Sequence, residues 1–278
     1  MNVQGFWRLL DENSGYETPE KPNLRFLDRL FGWSDTWYYI RVFEVIVSSS
    51  IIVRFKEYNQ EVWSPQSFNV WKAMEGCGGR ATVSGIENLK KVDGPVVYVA
   101  NHMSMLETLL LPALLLPYRL VTMVVKASLL KYPVFGAVMK ACRPLSVSRD
   151  DPRRDFKDVM DSGQRILREE GRSIIVFPQS TRSALFDPAS FNSLAVKLAK
   201  KAGVPVVPVA LKTDFHGIGR KMRDLGPIDR SKHVFIRFGE AMTVEGNGKA
   251  EHKAVIDFIS HNLQEWGGQV KSEDKQGE

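Results

Sequence analysis

Between residues 95 and 239 the chain alternates short, almost wholly apolar runs with longer stretches in which apolar and polar residues recur at helical spacing. The apolar runs are PVVYVAN (95–101), LVTMVVK (120–126), PLSVSR (144–149), SIIVFPQ (173–179), PVVPVAL (205–211) and HVFIRFG (233–239). Their length and their Val, Ile and Phe content predict strands. The near-continuous apolarity predicts strands buried on both faces, as in a parallel sheet. Helices are predicted near residues 104–116, 128–141, 152–170, 188–202 and 250–265. The third and fourth stop at Gly171 and Gly203, where a left-handed cap needs glycine. The predicted fold class is α/β, a largely parallel central sheet flanked by helices, over residues 81–266.

Upstream the pattern changes. Residues 1–35 are mixed, polar and turn-rich, and read as an N-terminal arm without a core of its own. From Trp37 to Phe55 the run WYYIRVFEVIVSSSIIVRF is almost wholly apolar, but Arg41, Glu44 and three serines interrupt it. A spanning helix needs about 20 predominantly apolar residues, and Arg near its centre costs on the order of 3 kcal/mol, so this run is predicted not to span. Arg41, Glu44 and Ser48 fall at i, i+3 and i+7, on one helical face, with Trp37, Tyr38, Phe43, Ile46, Val47, Ile51 and Ile52 over much of the rest. Residues 36–80 therefore read as an amphipathic helical region with a hairpin partner at 66–75 carrying Trp71. It either dips into a membrane interface or packs on the main domain as a core helix. Residues 267–278 read as a flexible tail.

A hydrophobic fraction of 44% and a charged fraction of 25% are those of a folded globular chain. The mean hydropathy of −0.19 excludes a polytopic membrane protein. Only two cysteines occur, Cys77 and Cys142, without CxxC spacing, which excludes a disulfide framework and a zinc site built on them and suits a reducing compartment. The N-terminus has no signal-peptide pattern. Thirty-eight Lys and Arg stand against 32 Asp and Glu, a net charge of +6. Six of the basic residues lie between Arg119 and Arg149 without one acidic residue, mixed with aliphatics. That mixture suits a phosphate-bearing amphiphile or a membrane surface. No zinc finger, RNP-type pattern or basic heptad supports a nucleic-acid partner.

The chain holds no GxSxG, HExxH, GxxxxGK[ST] or GxGxxG, so serine hydrolase, zincin, P-loop and dinucleotide readings have no anchor. What remains is Asn101-His102-Met103-Ser104-Met105-Leu106-Glu107, where a strand gives way to a helix. Two positions five apart inside one helix diverge by about 140°. His102 and Glu107 meet only if His102 sits in the turn before the helix and Glu107 folds back from the first turn. A carboxylate on Nδ1 would then fix the tautomer and leave Nε2 as a general base. The competing reading is a capping box, with Ser104 and Glu107 at Ser-x-x-Glu spacing and His102 a hydrogen-bonded interior histidine.

A second constellation, Phe177-Pro178-Gln179-Ser180-Thr181-Arg182-Ser183, also follows a strand. Small hydroxyl residues and backbone N–H groups beside a guanidinium suit an anion. Parallel α/β sheets bind ligands at the carboxyl ends of their strands. On that rule Arg149 and Arg182 share one rim with His102, and Lys126 joins them. The bland alternative is surface ion pairing of Arg149 with Asp150 or Asp151, and of Arg182 with Asp187.

These blocks resemble those of the glycerolipid acyltransferases, the family of the lysophosphatidic acid (1-acylglycerol-3-phosphate) acyltransferases. NHMSMLE is similar to the family's NHxSxxD, PLSVSR to its second block, FPQSTRS to FPEGTRS and VPVVPVAL to its fourth; VVKASLLKYPVFG resembles its Lys-containing segment. The matching blocks span residues 95–211 in the family's order. The resemblance implies phospholipid biosynthesis. His102, supported by Glu107 in place of Asp, would deprotonate the hydroxyl of a lysophospholipid acceptor, which attacks an acyl-CoA or acyl carrier protein thioester with no acyl-enzyme. It implies that Arg149, Arg182, Thr181 and Lys126 bind the acceptor phosphate and that Gln179, Ser180, Pro205 and Pro208 neighbour the acceptor site. It implies interfacial N-terminal helices on the cytoplasmic face of the cell membrane, peripheral or monotopic, and no cofactor or metal. Gln179 and Ser180 replace the family's Glu and Gly. Gln179 keeps open an acceptor without phosphate, such as an aminolipid, and the three replacements together, Glu107 included, keep open a catalytically weak lipid-binding protein. A Ser-His-Glu hydrolase lacks a nucleophile elbow.

Overall fold

The computed structural model describes residues 1–179 and 181–272. Five of the apolar runs form parallel strands: β3 (Val97–Ala100), β4 (Val121–Lys126), β5 (Leu145–Val147), β6 (Ser173–Val176) and β8 (Val206–Lys212). They belong to an eight-stranded sheet in the order β1-β2-β9-β8-β3-β6-β4-β5, where β1 is Gly15–Glu17, β2 is Arg80–Ser84 and β9 is His233–Phe238. The sixth run, β9, lies antiparallel to β8, and β2 pairs parallel to β9. Val97 stands opposite Val206 on one side and Ile174 on the other, so β3, β6 and β8 end at one edge.

Every residue of β3, β6 and β8 is buried, as their unbroken apolarity predicts. One face, with Tyr98, Ala100 and Val207, packs under α1 (Val3–Asn13), α4 (Gln60–Gly76), α6 (Leu106–Leu115) and α7 (Phe135–Ala141). The other, with Val97, Val99 and Val206, packs under α8 (Pro152–Arg168), α9 (Leu194–Ala202) and α10 (Lys249–Glu265). α8 starts on Asp151, whose carboxylate accepts the N–H groups of Arg153 and Arg154, with Pro152 at the first helical position. α9 stops at Gly203 with φ +65°, and Gly171, with φ +62°, follows the end of α8. The predicted helices at 128–141 and 188–202 are shorter than expected, each preceded by a 3-10 turn, at Ala127–Lys131 and Pro188–Ser190.

The N-terminal arm has no separate core, but its side chains enter the shared one. Phe6 and Leu10 of α1 are fully buried, and Phe6 packs 5.2 Å from Trp71 of α4. Losing a buried aromatic of this kind costs about 3–5 kcal/mol. The Tyr16 hydroxyl, the Thr18 hydroxyl and the Trp71 indole N–H all donate to Glu75, at 2.7, 2.8 and 3.3 Å. The tail is not wholly loose: β10 (Gln269–Val270) pairs parallel with β7 (Leu185–Phe186), while residues 273–278 lie outside the described residues.

The predicted helix over 37–55 is α3 (Asp35–Ile52), about 27 Å long at 1.5 Å per residue. Its hairpin partner α4 starts earlier than predicted, on the Asn59 cap. Of the polar stripe only Glu44 lies exposed on the surface. Arg41 is buried against Asp28 of α2 (Phe26–Phe31), and Ser48 donates to Gln66 of α4 at 3.2 Å. Outward instead point Ile40, Phe43 and Ile51, joined by Phe26 of α2 and by Trp33, the last two more than 70% exposed. Among the described residues no helix is long and apolar enough to cross a membrane.

Candidate active site

The turn after β3 holds the histidine. The Asn101 amide donates to the Leu211 carbonyl at 2.7 Å and accepts the Leu211 N–H at 2.9 Å, clamping the end of β3 to the end of β8. His102 follows outside the helix, and Glu107 lies in the first turn of α6, so the side chains meet: Nδ1 is 2.9 Å from Glu107 Oε1. The ring stacks on Phe177 at 4.4 Å, and 18% of the side chain remains exposed.

Glu107 is fully buried, yet it is saturated with donors. It accepts from the N–H of Met103 at 2.7 Å, the N–H of Ser104 at 2.9 Å and the hydroxyl of Thr213 at 2.5 Å. Burial alone would push its pKa up. The hydrogen bond and charge of His102, with the Thr213 hydroxyl, outweigh burial and hold the carboxyl below its usual range. An ionised Glu107 orients Nδ1–H toward itself and leaves Nε2 with its lone pair. Half of the capping box forms as well, the Glu107 carboxylate accepting the Ser104 N–H, while the Ser104 hydroxyl accepts the Leu106 N–H at 3.0 Å and the helix itself starts after Met105. One side chain ties down the turn before the helix and holds the histidine.

The turn after β6 meets the histidine turn from the next strand. Gln179, buried, accepts the His102 N–H at 2.7 Å, and the His102 carbonyl accepts the Ser183 N–H at 3.0 Å. Arg182 Nη2 lies 2.6 Å from Asp224 Oδ1, and Thr181 Oγ1 accepts from Arg223 at 3.1 Å. Asp187, the pairing partner considered for Arg182, is bound by Lys271 instead. Ser180 lies outside the described residues.

The other predicted residues stand further away. Lys126 ends β4 and Arg149 follows β5, both exposed at the same sheet edge. With strands about 4.8 Å apart, Lys126 is about 10 Å and Arg149 about 14 Å from the strand of His102. Arg149 adopts φ +68°, and its N–H donates to Asp155 at 2.6 Å; neither Asp150 nor Asp151 pairs with it among the described residues. Pro205 is a correction to the expected site wall. Its carbonyl accepts the Val97 N–H at the amino end of β8, the opposite edge from His102. Pro208 is buried within β8 opposite Val99, where its carbonyl accepts the Gly239 N–H. A strand has two ends, and a proline-containing run does not say which end faces the site.

Sequence reasoning missed Thr213, Arg223 and Asp224. Thr213 directly follows the run PVVPVAL and Lys212, so the rule of carboxyl strand ends that singled out His102 and Arg182 also points to it. No sequence signal marks the other two. Replacing Thr213 with Val removes one donor from a buried carboxylate, a loss of about 1–3 kcal/mol. The expected results are a lowered melting temperature and a kcat about tenfold down, measured side by side; an unchanged kcat would remove Thr213 from the catalytic support. Among the described residues no group of three or more His, Cys, Asp or Glu is placed to hold a metal ion.

Residues 80–212 match a family model described as Acyltransferase. The chain is 27% identical over 206 residues to the 1-acyl-sn-glycerol-3-phosphate acyltransferase of Pseudomonas aeruginosa, covering 74% of both. It is 33% identical over 184 residues to a Chlamydomonas reinhardtii protein of the same name, covering 65% of this chain and 53% of that one. Its fold is similar to the crystal structure of PlsC, the 1-acyl-sn-glycerophosphate (LPA) acyltransferase of Thermotoga maritima. The TM-score is 0.62 at 21% identity, over 88% of this chain and 99% of the other.

Proposed function

We propose that this chain, whose residues 80–212 match the Acyltransferase family model, moves a fatty acyl group from an acyl-CoA or acyl carrier protein thioester to the free hydroxyl of a lysophospholipid. The acceptor is 1-acylglycerol-3-phosphate, the substrate class in the names of its relatives. The observation that carries the reading is the contact of His102 Nδ1 with the buried Glu107, one strand away from Arg182.

In this mechanism Nε2 of His102 takes the acceptor hydroxyl proton as the oxygen attacks the thioester carbonyl. The new C–O bond forms, the C–S bond breaks, and the thiolate leaves with the proton returned from the imidazolium. Glu107 stabilises that imidazolium. No side chain forms an acyl intermediate, and Arg182 and Thr181 bind the acceptor phosphate while Lys126 and Arg149 lie further along the same edge. Replacing Arg182 with Ala is expected to raise the acceptor KM about tenfold or more and leave the acyl-donor KM unchanged. Steady-state kinetics with each substrate varied in turn checks this, and an unchanged acceptor KM would remove Arg182 from the phosphate site.

The exposed Phe26, Trp33, Ile40, Phe43 and Ile51 support attachment to a membrane surface without spanning it, on the cytoplasmic face where the thioester donors are. The aminolipid reading rested on Gln179. Its Oε1 faces the His102 backbone N–H, a bond a Glu carboxylate makes equally well, so the Gln for Glu exchange gives no argument against a phosphate acceptor. The retained His102–Glu107 contact disfavours a binding protein without catalysis.

A further inference from the structure

The long connection between β8 and β9 crosses back over the turn that carries Arg182. Arg223 Nη2 donates to Thr181 Oγ1 at 3.1 Å and to the Arg182 carbonyl at 2.9 Å, and Asp224 takes the Arg182 guanidinium at 2.6 Å. The connection is anchored at several points. His216, 1% exposed, has Nε2 3.0 Å from the Asp224 carbonyl and Nδ1 3.1 Å from the Tyr38 hydroxyl of α3. The Tyr39 hydroxyl donates to the Gly226 carbonyl at 2.5 Å, and Asp35 of α3 accepts the Ile228 N–H at 3.0 Å. Burial holds the His216 pKa below its ordinary value, so the ring is neutral, donating from Nε2 to Asp224 and accepting at Nδ1 from Tyr38. Asp224 is thus delivered to Arg182 by a braced segment.

Asp224 reaches Arg182 through one oxygen and one nitrogen and is 41% exposed, whereas the Arg182 side chain is only 17% exposed. A ligand arriving from solvent at Arg182 therefore meets a carboxylate. We propose that Asp224 is an intramolecular competitor for the acceptor phosphate on Arg182 and sets the affinity for acceptor and product alike. This rests on the reading of Arg182 as a phosphate ligand. The physical consequence follows from the reaction itself: the acylated product carries the same phosphate as the acceptor. A guanidinium without a resident counter-ion would hold the product as firmly as the substrate. The carboxylate replaces the departing phosphate and speeds release.

The test is Asp224→Asn, which keeps the shape and removes the charge, made alone and with Arg182→Ala in the full-length chain in mixed micelles. The acceptor KM and the inhibition constant of added diacylglycerol phosphate should both fall about two- to fivefold, the effect of a half-exposed ion pair. The KM of a monoacylglycerol, which has no phosphate, should not move. In the Arg182→Ala background the Asn substitution should have no effect on either constant. A rise in acceptor KM, or no change while Arg182→Ala alone raises it, overturns the competitor and leaves the phosphate role of Arg182 standing. If Arg182→Ala itself leaves the acceptor KM unchanged, that role fails and the competitor with it.

Discussion

Replacing His102 with alanine is expected to lower kcat for acyl transfer at least about a hundredfold, because a positioned general base contributes roughly 10²–10⁴-fold. The fold should survive the change. The bonds that hold the turn at His102, from Gln179 and Ser183, run through its backbone, and the preceding residue, Asn101, is clamped to Leu211. Glu107 loses one partner and keeps Met103, Ser104 and Thr213. Rate and thermal melting are measured on one preparation. A hundredfold loss with native melting is the expected pair, and wild-type turnover would remove His102 from the chemistry.

Glu107→Gln is the second large effect, and it separates charge from shape. The amide can still accept His102 Nδ1–H at the Oε1 position and donate to the Ser104 or Thr213 hydroxyl at the other. What it lacks is the negative charge facing the imidazolium. Hydrogen bonds to charged groups are worth about 1.5–3 kcal/mol, so kcat should fall about 10- to 100-fold with the fold retained. The same variant has a pH signature. The folded-state pKa of Glu107 is depressed, so the stability it contributes is present above the unfolded carboxylate value of about 4.3 and lost as pH falls through the lower folded value. Melting temperatures taken from pH 7 down to pH 3 should drop less steeply in the Gln variant than in the wild type. Parallel curves would mean that the Glu107 pKa is the same in the folded and unfolded chain, and a steeper drop in the Gln variant would mean that the folded carboxyl is neutral.

The parts of the fold legible in the sequence were those written in local pattern. β3, β6 and β8 could be read because strands buried on both faces show unbroken apolar runs. β2 escaped because its residues alternate between buried and partly exposed and so form no unbroken apolar run, and the reversal of β9 escaped because apolarity carries no direction. In the sequence pattern Arg41 shares one helical face with Glu44 and Ser48; the Asp28 that pairs with it in the interior lies on a separate helix. The burial of Phe6 and Leu10 likewise depends on packing against α4 and the sheet.

The site divides in the same way. His102 and Glu107 lie five residues apart, and turn geometry permits their meeting once His102 stands before the helix, the arrangement that the structure shows. Gln179, Thr213 and Asp224 join them only through strand order. Thr213 is 106 residues from Glu107, and no spacing rule reaches that far. Pro205 shows the converse failure, since a run matched to a site block still has one end on the far edge of the sheet.

The most direct test of the central claim is product identification. Detergent-purified wild type and His102→Ala are incubated with long-chain acyl-CoA or acyl carrier protein and a panel of lysolipids, and all products are read by mass spectrometry. The account predicts new diacylglycerol phosphate from 1-acylglycerol-3-phosphate with wild type, and at least a hundredfold less with the variant. No acylated lipid from either protein, with binding to liposomes intact, would contradict it.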